Sequence, residues 1–319
     1  MRQLVLKALK SANRPISGQA LAEQLGVSRT AVWKHIQGLR LRGYDISGAP
    51  KVGYSLQSAP DILIAEDIEE SLPPEFTGHV VCVDKVGSTN SAAKDRATAG
   101  DFKPVGLMIA EEQTQGRGRF GRTWISPHGG IWMSLVVRPD IPVVAAGRVV
   151  IPVAVAVAEA IIEITGLSAK IKWPNDILVN GKKVCGILTE MAAELGSVEY
   201  LVIGFGLNVN FPASMLAEGA KAATTLQAEA GHSIDRAALI ESIITKTMIA
   251  LQDLTEGFDA ILLRWRELSD TLGRHITLDA GGKAVEGRAV DVDLDGALIM
   301  EVPSGERLVF RAGEVTTWQ

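Results

Sequence analysis

The stretch GRGRFGRTW, residues 116–124, decides how the fold of this chain is assigned. It alternates glycines with arginines, namely Gly116, Gly118 and Gly121 with Arg117, Arg119 and Arg122. Glycine lets the backbone approach a ligand closely, and a guanidinium group offers several donors to phosphate or carboxylate oxygens. The stretch therefore predicts a loop that folds around an anionic, nucleotide-like ligand, although a solvated basic loop has the same composition.

The residues on either side of this loop predict two paired strands. PVGLMIAEEQTQ, residues 104–115, precedes the loop, and GGIWMSLVV, residues 129–137, follows it. Both segments are apolar and contain residues that favour strands. The loop is expected to hang from the end of a β-hairpin, where a mobile lid would lie.

Upstream, HVVCVDKV, residues 79–86, predicts a strand that runs through GSTN, residues 87–90, into a helix. Small hydroxyl residues at a helix start offer N–H and O–H groups to a polar ligand atom. The alternative is that Ser88 or Thr89 is an ordinary N-cap.

Downstream, KWPND, residues 172–176, and GKKVCGIL, residues 181–188, predict strands joined by a type I′ turn at Asn180-Gly181. Asp176 and Lys183 on these strands could face one pocket, or the lysine could be a solvated hairpin residue. In EYLVIGFGLNVN, residues 199–210, two glycines in a strand indicate close approach of a ligand or another backbone.

The first 60 residues are basic, with nine Lys/Arg and two Asp/Glu, whereas the rest of the chain has a net charge of −12. Helices are predicted at 2–12, after Ser17 and after Ser28, followed by a hairpin in YDISGAPKVGYSL. This pattern favours a winged helix-turn-helix that binds DNA over a small helical interaction module. The expected DNA contacts are Ser28, Arg29, Thr30, Trp33, Lys34 and, in the wing, Lys51.

The C-terminal part predicts two amphipathic helices in residues 235–270 and then a small barrel. Its strands are expected in HITLDA, AVEGRAVDVD, ALIMEV and ERLVFRAGEV, which lie between residues 275 and 315 and are separated by Gly-containing turns.

Composition predicts a soluble cytoplasmic protein with no membrane contact. The helix VAVAVAEAIIEI lies in a region interrupted by charges and prolines, so a buried helix is expected. No secretory signal is visible.

Cys82 and Cys185 lack metal-ligand spacing and are expected to be buried thiols in a reducing cytosol. The five histidines form no cluster, so no protein-bound metal is predicted.

GSTN, QTQGRGRFGRTW, KWPND with GKKVCGIL, and GFGLNVN, in this order, resemble the biotin–protein ligase family. With a helix-turn-helix in front, the chain resembles the bifunctional members, the biotin operon repressors. The resemblance implies a multidomain α/β (α+β) protein. Its parts would be a winged helix-turn-helix at 1–60, a mixed-sheet catalytic domain at 61–272 and an SH3-like β-barrel at 273–319.

The resemblance also implies an activity. Such a ligase joins biotin and ATP into biotinyl-5′-AMP with Mg²⁺, and transfers biotin to a lysine of a biotin carboxyl carrier protein. It also represses biotin synthesis by binding operator DNA as a ligand-promoted homodimer, with biotinyl-5′-AMP as corepressor. The alternatives are a non-catalytic regulator that senses biotin and a lipoate–protein ligase.

By resemblance, Lys183, Arg117 and Arg119 carry the chemistry. The positions implied to bind biotin and the adenylate are Ser88, Thr89, Asn90, Gln113, Gly116, Arg117, Gly118, Arg119, Arg122, Trp124, Lys172, Asn175, Asp176, Lys183, Gly186, Leu188, Gly204, Gly206 and Asn208. Phe120 departs from the pattern, because many relatives have arginine there. The tail TTWQ lacks a basic residue that some relatives carry, so no ATP contact is assigned to it.

Overall fold

The computed structural model describes residues 1–12, 14–49, 52–58, 60–216, 222–252 and 258–318. The chain divides into two compact units, Met1–Ser71 and Leu72–Gln319. The first unit thus runs past residue 60, because a helix that the sequence did not predict belongs to it. The predicted wing contact Lys51 lies outside the described residues.

The first unit is a winged helix-turn-helix, as predicted. Its elements are α1 Arg2–Ser11, α2 Gly18–Leu25, α3 Arg29–Leu41, the antiparallel strands β1 Asp45–Ala49 and β2 Gly53–Ser58, and α4 Ala65–Ser71. The Ser17 and Ser28 hydroxyls accept bonds from the N–H groups of Ala20 and Ala31, so both predicted caps are confirmed. A single core joins the three helices and the wing through residues such as Leu9, Leu21 and Ile36.

Helix α4 is tied to the rest of this unit by a buried carboxylate. Asp67, which is 6% exposed, forms ion pairs with Arg2 of α1 and with Arg42 at the end of α3. Since a buried charge is costly unless it is paired, these ion pairs hold α4 against α1 and the end of α3.

The second unit is built on a seven-stranded mixed sheet with the order β3-β4-β5-β9-β8-β7-β6. Only β3 and β4 are parallel, and α5 connects them. The strands are β3 His79–Val86, β4 Gly106–Gln113, β5 Ile131–Val137, β6 Ala169–Lys172, β7 Asp176–Val179, β8 Lys182–Glu194 and β9 Ser197–Leu207. The helices are α5 Thr89–Ala99, α6 Val150–Thr165, α7 Leu226–Ala230, α8 Arg236–Gln252 and α9 Phe258–Leu268.

Helix α6 is a core helix. Val143–Thr165 is long and apolar enough to cross a membrane, but 67% of an apolar 18-residue window within it is buried inside the protein. It packs against α8 and α9, and every residue of β5 is buried as well. Cys185 is buried as expected, whereas Cys82 on β3 is only half-buried, because β3 is an edge strand.

Strands β8 and β9 form a long hairpin whose turn the sequence did not reveal. Leu195 has φ 51° and is fully exposed, and Gly196 has φ 88°. Left-handed conformations at both turn positions are typical of a type I′ turn, which usually contains Asn-Gly. A leucine there gives no turn signal.

The C-terminal part is a five-stranded antiparallel sheet with the order β13-β12-β11-β10-β14. Its strands are β10 His275–Asp279, β11 Ala284–Val292, β12 Leu298–Glu301, β13 Arg307–Phe310 and β14 Glu314–Trp318. The single strand predicted in ERLVFRAGEV is wrong, because residues 311–313 break it and Gly313 has φ 153°. No pairing between β13 and β14 closes a barrel within the described residues.

Candidate functional site

Two rows of paired residues across the central sheet form the base of a cavity. One row aligns Asp176 of β7 with Gly186 of β8 and Gly206 of β9. The other aligns Leu188 of β8 with Gly204 of β9 and Ser134 of β5. Three of these positions are glycines, so the sheet surface is open for side chains that come from other elements.

Trp124, from the end of the Arg/Gly loop (residues 116–124), lies flat on the first row. A Cβ on Gly206 would lie 2.8 Å from the indole Nε1, and one on Gly186 would lie 3.0 Å from the ring. The Trp124 Nε1 is buried and has no hydrogen-bond partner among the residues that the structure describes. Because a buried donor without a partner is costly, a ligand atom is a natural acceptor for it.

Lys183 lies at the rim of this row. Its Nζ is 2.6 Å from Asp176 Oδ1 and 4.9 Å from the centre of the Trp124 ring. The strand is anchored on its other side, where the Lys183 N–H donates to the Ala222 carbonyl. The lysine that the sequence left open therefore points into the cavity and not into bulk solvent.

Asn90 occupies the second row. Its Oδ1 lies 2.6 Å from Ser134 Oγ, and its Nδ2 donates to Glu190 Oε2 at 2.8 Å. A Cβ on Gly204 would clash with this amide, which explains the glycine. Ser88 is the N-cap residue of α5 without a side-chain capping bond, so the capping alternative does not hold for it.

Gln113 connects this row to the loop. The N–H and hydroxyl of Thr89 donate to Gln113 Oε1 at 2.8 and 3.1 Å, and Gln113 Nε2 donates to Ser126 Oγ at 2.9 Å. Thr89, Asn90 and Ser126 are all at most 5% exposed. A ligand in this cavity would meet a buried row of fixed polar groups, which suits a small neutral group with both donors and acceptors.

The Arg/Gly loop closes over the cavity through contacts of each arginine. Arg117 donates to Glu190 Oε2 and Ser91 Oγ, both at 3.1 Å. Arg119 donates to Asn175 Oδ1 at 3.2 Å and to the Gly313 carbonyl at 3.3 Å. Arg122 is paired with Glu314 at the start of β14. The C-terminal sheet therefore contacts the loop directly.

Phe120 is the strained residue of this loop. It has φ 55°, a left-handed conformation that bulky residues rarely adopt, and 69% of it is exposed. The Arg119 guanidinium carbon lies 4.9 Å from the centre of the Phe120 ring. The departure at this position thus replaces a charge with an aromatic face that shields Arg119.

Positive charge dominates the cavity, which has a volume of about 240 Å³. Its lining holds five cationic side chains, Arg117, Arg119, Arg122, Lys172 and Lys183, against the carboxylates Asp176 and Glu314. Burial lowers the pKa of Arg119 and of Lys172, while the nearby carboxylates oppose this effect. The hydrogen bond from Arg122 lowers the pKa of Glu314. Arginines keep their charge at neutral pH, so the cavity attracts anions.

Of the predicted binding residues, seventeen line this cavity and two do not. The seventeen are Ser88, Thr89, Asn90, Gln113, Arg117, Gly118, Arg119, Arg122, Trp124, Lys172, Asn175, Asp176, Lys183, Gly186, Leu188, Gly204 and Gly206. Gly116 is covered instead, since a Cβ there would strike the Trp124 carbonyl, and Asn208 donates to the Thr224 carbonyl beside the cavity.

Several residues that shape the site were not predicted. Ser134 and Glu190 lie in strand interiors where no motif marks them. From the C-terminal part, Glu314 lines the cavity and the Gly313 carbonyl accepts a hydrogen bond from Arg119. Only the break at Gly313 could have been found, as a glycine inside an alternating strand pattern.

Two carboxylates line the cavity where a magnesium ion could bind, and both form ion pairs with cations of the lining. Asp176 is 18% exposed and faces Lys183, whereas Glu314 is held by Arg122. No group of three or more metal-binding side chains occurs in the part of the chain that the structure describes. Because Mg²⁺ often uses one or two carboxylates together with substrate phosphates, Asp176 fits an ion that arrives with a nucleotide.

The predicted DNA contacts form an exposed face on the first unit. Ser28, Arg29, Thr30, Trp33 and Lys34 are all exposed at the start of α3, and 52% of Trp33 is accessible. Their side chains are not needed for the core, which uses Val32, Ile36 and Leu39 of the same helix. This face has the geometry of a helix that enters a DNA groove by its first turns.

Comparisons with family models match each part of the chain. The model described as "Biotin/lipoate A/B protein ligase family" matches residues 82–208. An "HTH domain" model matches residues 2–55, and a "Biotin protein ligase C terminal domain" model matches residues 271–317.

Among curated proteins, the chain is similar to the bifunctional ligase/repressor BirA of Bacillus subtilis, with 39% identity over 95% of this chain and 94% of that protein. The protein of the same name from Escherichia coli is 35% identical over 89% of this chain and 88% of its own length. Among solved structures, the biotin protein ligase from Aquifex aeolicus in complex with biotin and ATP superposes with a TM-score of 0.65 and 26% identity, over 76% of this chain and 99% of that one.

Proposed function

The chain belongs to the biotin–protein ligase family, and from that premise we propose that it is a bifunctional ligase and repressor. It forms biotinyl-5′-AMP from biotin and ATP, transfers biotin to a lysine of a carrier protein, and represses transcription through its helix-turn-helix. The observation that carries this function is the similarity to a bifunctional ligase/repressor, with 39% identity. The matched 95% of the chain includes residues of both the winged helix-turn-helix and the cationic cavity.

The first chemical step brings two anions together, the biotin carboxylate and the α-phosphate of ATP. Fixed positive charge lowers this barrier because it stabilises the charge that develops in the transition state. Lys183 and Arg119 are the cations that we expect to act on the reacting oxygens. Both are held in place by neighbouring side chains, Lys183 by Asp176 and Arg119 by Asn175, so they need little reorganisation.

The buried polar row suits the head of biotin. The ureido group of biotin is neutral and has two hydrogen-bond donors and one acceptor. The side chains of the row are also neutral and can both donate and accept hydrogen bonds, namely Ser88, Thr89, Asn90 and Gln113. We expect the valeryl chain to run past Gly204 and along the edge of the Trp124 ring toward Lys183. The Trp124 ring, which lies directly on Gly186 and Gly206, would pack on that chain and on the adenylate.

The product is a mixed anhydride that water would hydrolyse. The Arg/Gly loop covers the cavity through bonds to Glu190, Asn175 and Glu314, so a closed loop excludes water from the intermediate. For the transfer step, the acceptor lysine must reach the carboxyl carbon as a neutral amine, and the amide bond forms as the bond from that carbon to the phosphate oxygen breaks and AMP leaves. Both lining carboxylates are already ion-paired, so we expect its proton to leave to solvent.

Magnesium would add charge neutralisation on the phosphates. Asp176 is the residue that we expect to hold it, together with phosphate oxygens. Asn175 would position the nucleotide beside it, because its Nδ2 is already fixed on the Ile187 carbonyl at 2.7 Å.

The repressor part of the proposed function rests on the first unit, the winged helix-turn-helix. We propose that the exposed face of α3 binds operator DNA, that biotinyl-5′-AMP acts as corepressor, and that a ligand-promoted homodimer binds two half-sites. A cytoplasmic location follows from a DNA partner and a carrier-protein substrate.

Biotin-dependent exchange of labelled pyrophosphate into ATP tests the ligase half. We expect exchange with biotin and none with lipoate. Exchange with lipoate only, or none with either acid, would overturn the assignment. A gel shift with operator-containing DNA, with and without biotin and ATP, tests the repressor half separately.

A further inference from the structure

A continuous chain of seven side chains runs under the cavity from one end of the Arg/Gly loop to the other. Starting beyond the loop it passes through Ser126, Gln113, Thr89, Ser134, Asn90, Glu190 and Arg117. Every contact in it is between 2.6 and 3.1 Å. The row that would receive the ligand therefore also holds the loop that would cover it.

Glu190 is the link of this chain between the cavity floor and the loop. A single oxygen, Oε2, accepts both from Asn90 Nδ2 at 2.8 Å and from Arg117 Nη2 at 3.1 Å. Asn90 is 5% exposed and is fixed on its other side by Ser134. Arg117 is 45% exposed and belongs to the loop. A buried group of the cavity floor and a partly exposed group of the loop thus share one acceptor.

We propose that Glu190 is a positioning residue that couples occupancy of the cavity floor to closure of the Arg/Gly loop. The inference deepens the proposed function and depends on it, because the floor ligand is taken to be the head of biotin. A ligand that binds the floor fixes the Asn90 amide, and this holds the Glu190 carboxylate in the position that Arg117 requires. Without a ligand, motion of the amide and the carboxylate weakens the contact with Arg117.

Two substitutions separate the contacts of Glu190. Glu190→Gln keeps a neutral oxygen for Asn90 Nδ2 but removes the charge that attracts Arg117. Glu190→Ala removes both contacts. Glu194→Gln is the matched control, because Glu194 is an exposed carboxylate on the same strand outside the chain of contacts.

The experiment measures biotin affinity by calorimetry and loop closure by limited trypsin digestion. Cleavage after Arg117, Arg119 and Arg122 is followed by mass spectrometry of the new N-termini, with and without saturating biotin. In the unsubstituted protein and in Glu194→Gln, we expect biotin to slow these cleavages. In Glu190→Gln, biotin affinity should stay within about twofold of the unsubstituted protein. The protection, which is the ratio of the cleavage rates without and with biotin, should fall roughly fivefold, as for the loss of an exposed ion pair.

In Glu190→Ala, we expect protection to disappear and biotin affinity also to fall, by roughly fivefold to tenfold. A purely structural role would lower the melting temperature and would leave the ratio of cleavage with and without biotin unchanged. Unchanged protection in both Glu190 variants overturns the proposal, as does an unsubstituted protein that binds biotin without any protection. An unsubstituted protein that binds no biotin overturns the proposed function instead.

Discussion

At the scale of single residues, two adjacent lysines on β8 are expected to differ sharply in their effect on catalysis. Lys183 faces the cavity beside Asp176, whereas Lys182 is half exposed and pairs with Glu229 at 3.3 Å outside it. Lys183→Ala should reduce adenylate formation on the order of 100-fold to 1,000-fold, as does the loss of one preorganised electrostatic donor.

Pyrophosphate exchange measures this effect, and Lys182→Ala is the matched control. Neither change should alter the folded fraction, because both side chains are at least 30% exposed. Equal activity of the two variants would remove Lys183 from the proposed mechanism.

Gly204 is predicted to tolerate no side chain. A Cβ there would lie 2.9 Å from the Asn90 Cγ and closer still to its Oδ1, and a shift of Asn90 would break its contacts with Ser134 and Glu190. Gly204→Ala should cost about 1–3 kcal/mol of stability and lower biotin affinity, as overpacking does. Calorimetry and urea denaturation measure both. The control is Gly147→Ala, where the nearest atom to a new Cβ lies 3.7 Å away.

The sequence identified site residues where a motif marked them and missed them elsewhere. Arg119, Lys183 and Gly206 stand in recognisable patterns. Ser134 and Glu190 stand inside ordinary strands, and their positions under the cavity depend on the register between β5, β9 and β8. Because this register pairs residues that are far apart in sequence, such as Ser134 and Gly204, no local pattern reveals it.

At the scale of elements, the ion pair between Arg122 and Glu314 is expected to hold the Arg/Gly loop against the C-terminal sheet. Arg122 is 64% exposed and Glu314 is 34% exposed, so the pair should contribute at most about 1 kcal/mol. Glu314→Gln and Arg122→Gln should each raise the dissociation rate of biotinyl-5′-AMP up to about fivefold.

A double-mutant cycle checks that the two effects share one cause, since the double variant should be no worse than either single one. Glu301→Gln breaks another surface pair of the same sheet, with Arg307 at 3.8 Å, and should leave the dissociation rate unchanged. Additive effects in the cycle would contradict the pair as a latch.

Elements with strong local signals were predictable, and those with weak signals were not. The Ser caps of α2 and α3 and the Asn180-Gly181 turn, where φ is 50° and 73°, follow directly from residue chemistry. The Leu195 turn and the break before Glu314 were missed. At Leu195, pairing of β8 with β9 determines the conformation, because a leucine is not a turn-forming residue. At the break, Gly313 was the one local signal.

At the scale of the whole molecule, the charge asymmetry predicts how salt affects DNA binding. The basic residues concentrate in the first 60 positions, and Lys34 and Arg29 are exposed on α3. If Lys34 contacts a phosphate, Lys34→Ala should weaken binding to all sequences alike and reduce the slope of log K against log salt by about 1.

Fluorescence anisotropy with operator and unrelated DNA at several salt concentrations measures this slope. Pyrophosphate exchange by the same variant should be unchanged, because Lys34 lies in the other compact unit. A change in exchange, or an unaltered slope, would show that Lys34 has a different role.

The rate at which a thiol reagent modifies Cys185 would measure how often this sheet opens. Its thiol is fully buried two positions from Lys183, and burial raises the pKa of this thiol above its ordinary value. We therefore expect a thiol reagent to react with it after the sheet has opened locally. Cys82, half-buried on the edge strand, should react without such an opening and serves as the internal standard. Ligand at 100 times its dissociation constant should slow the Cys185 reaction about 100-fold if opening empties the cavity.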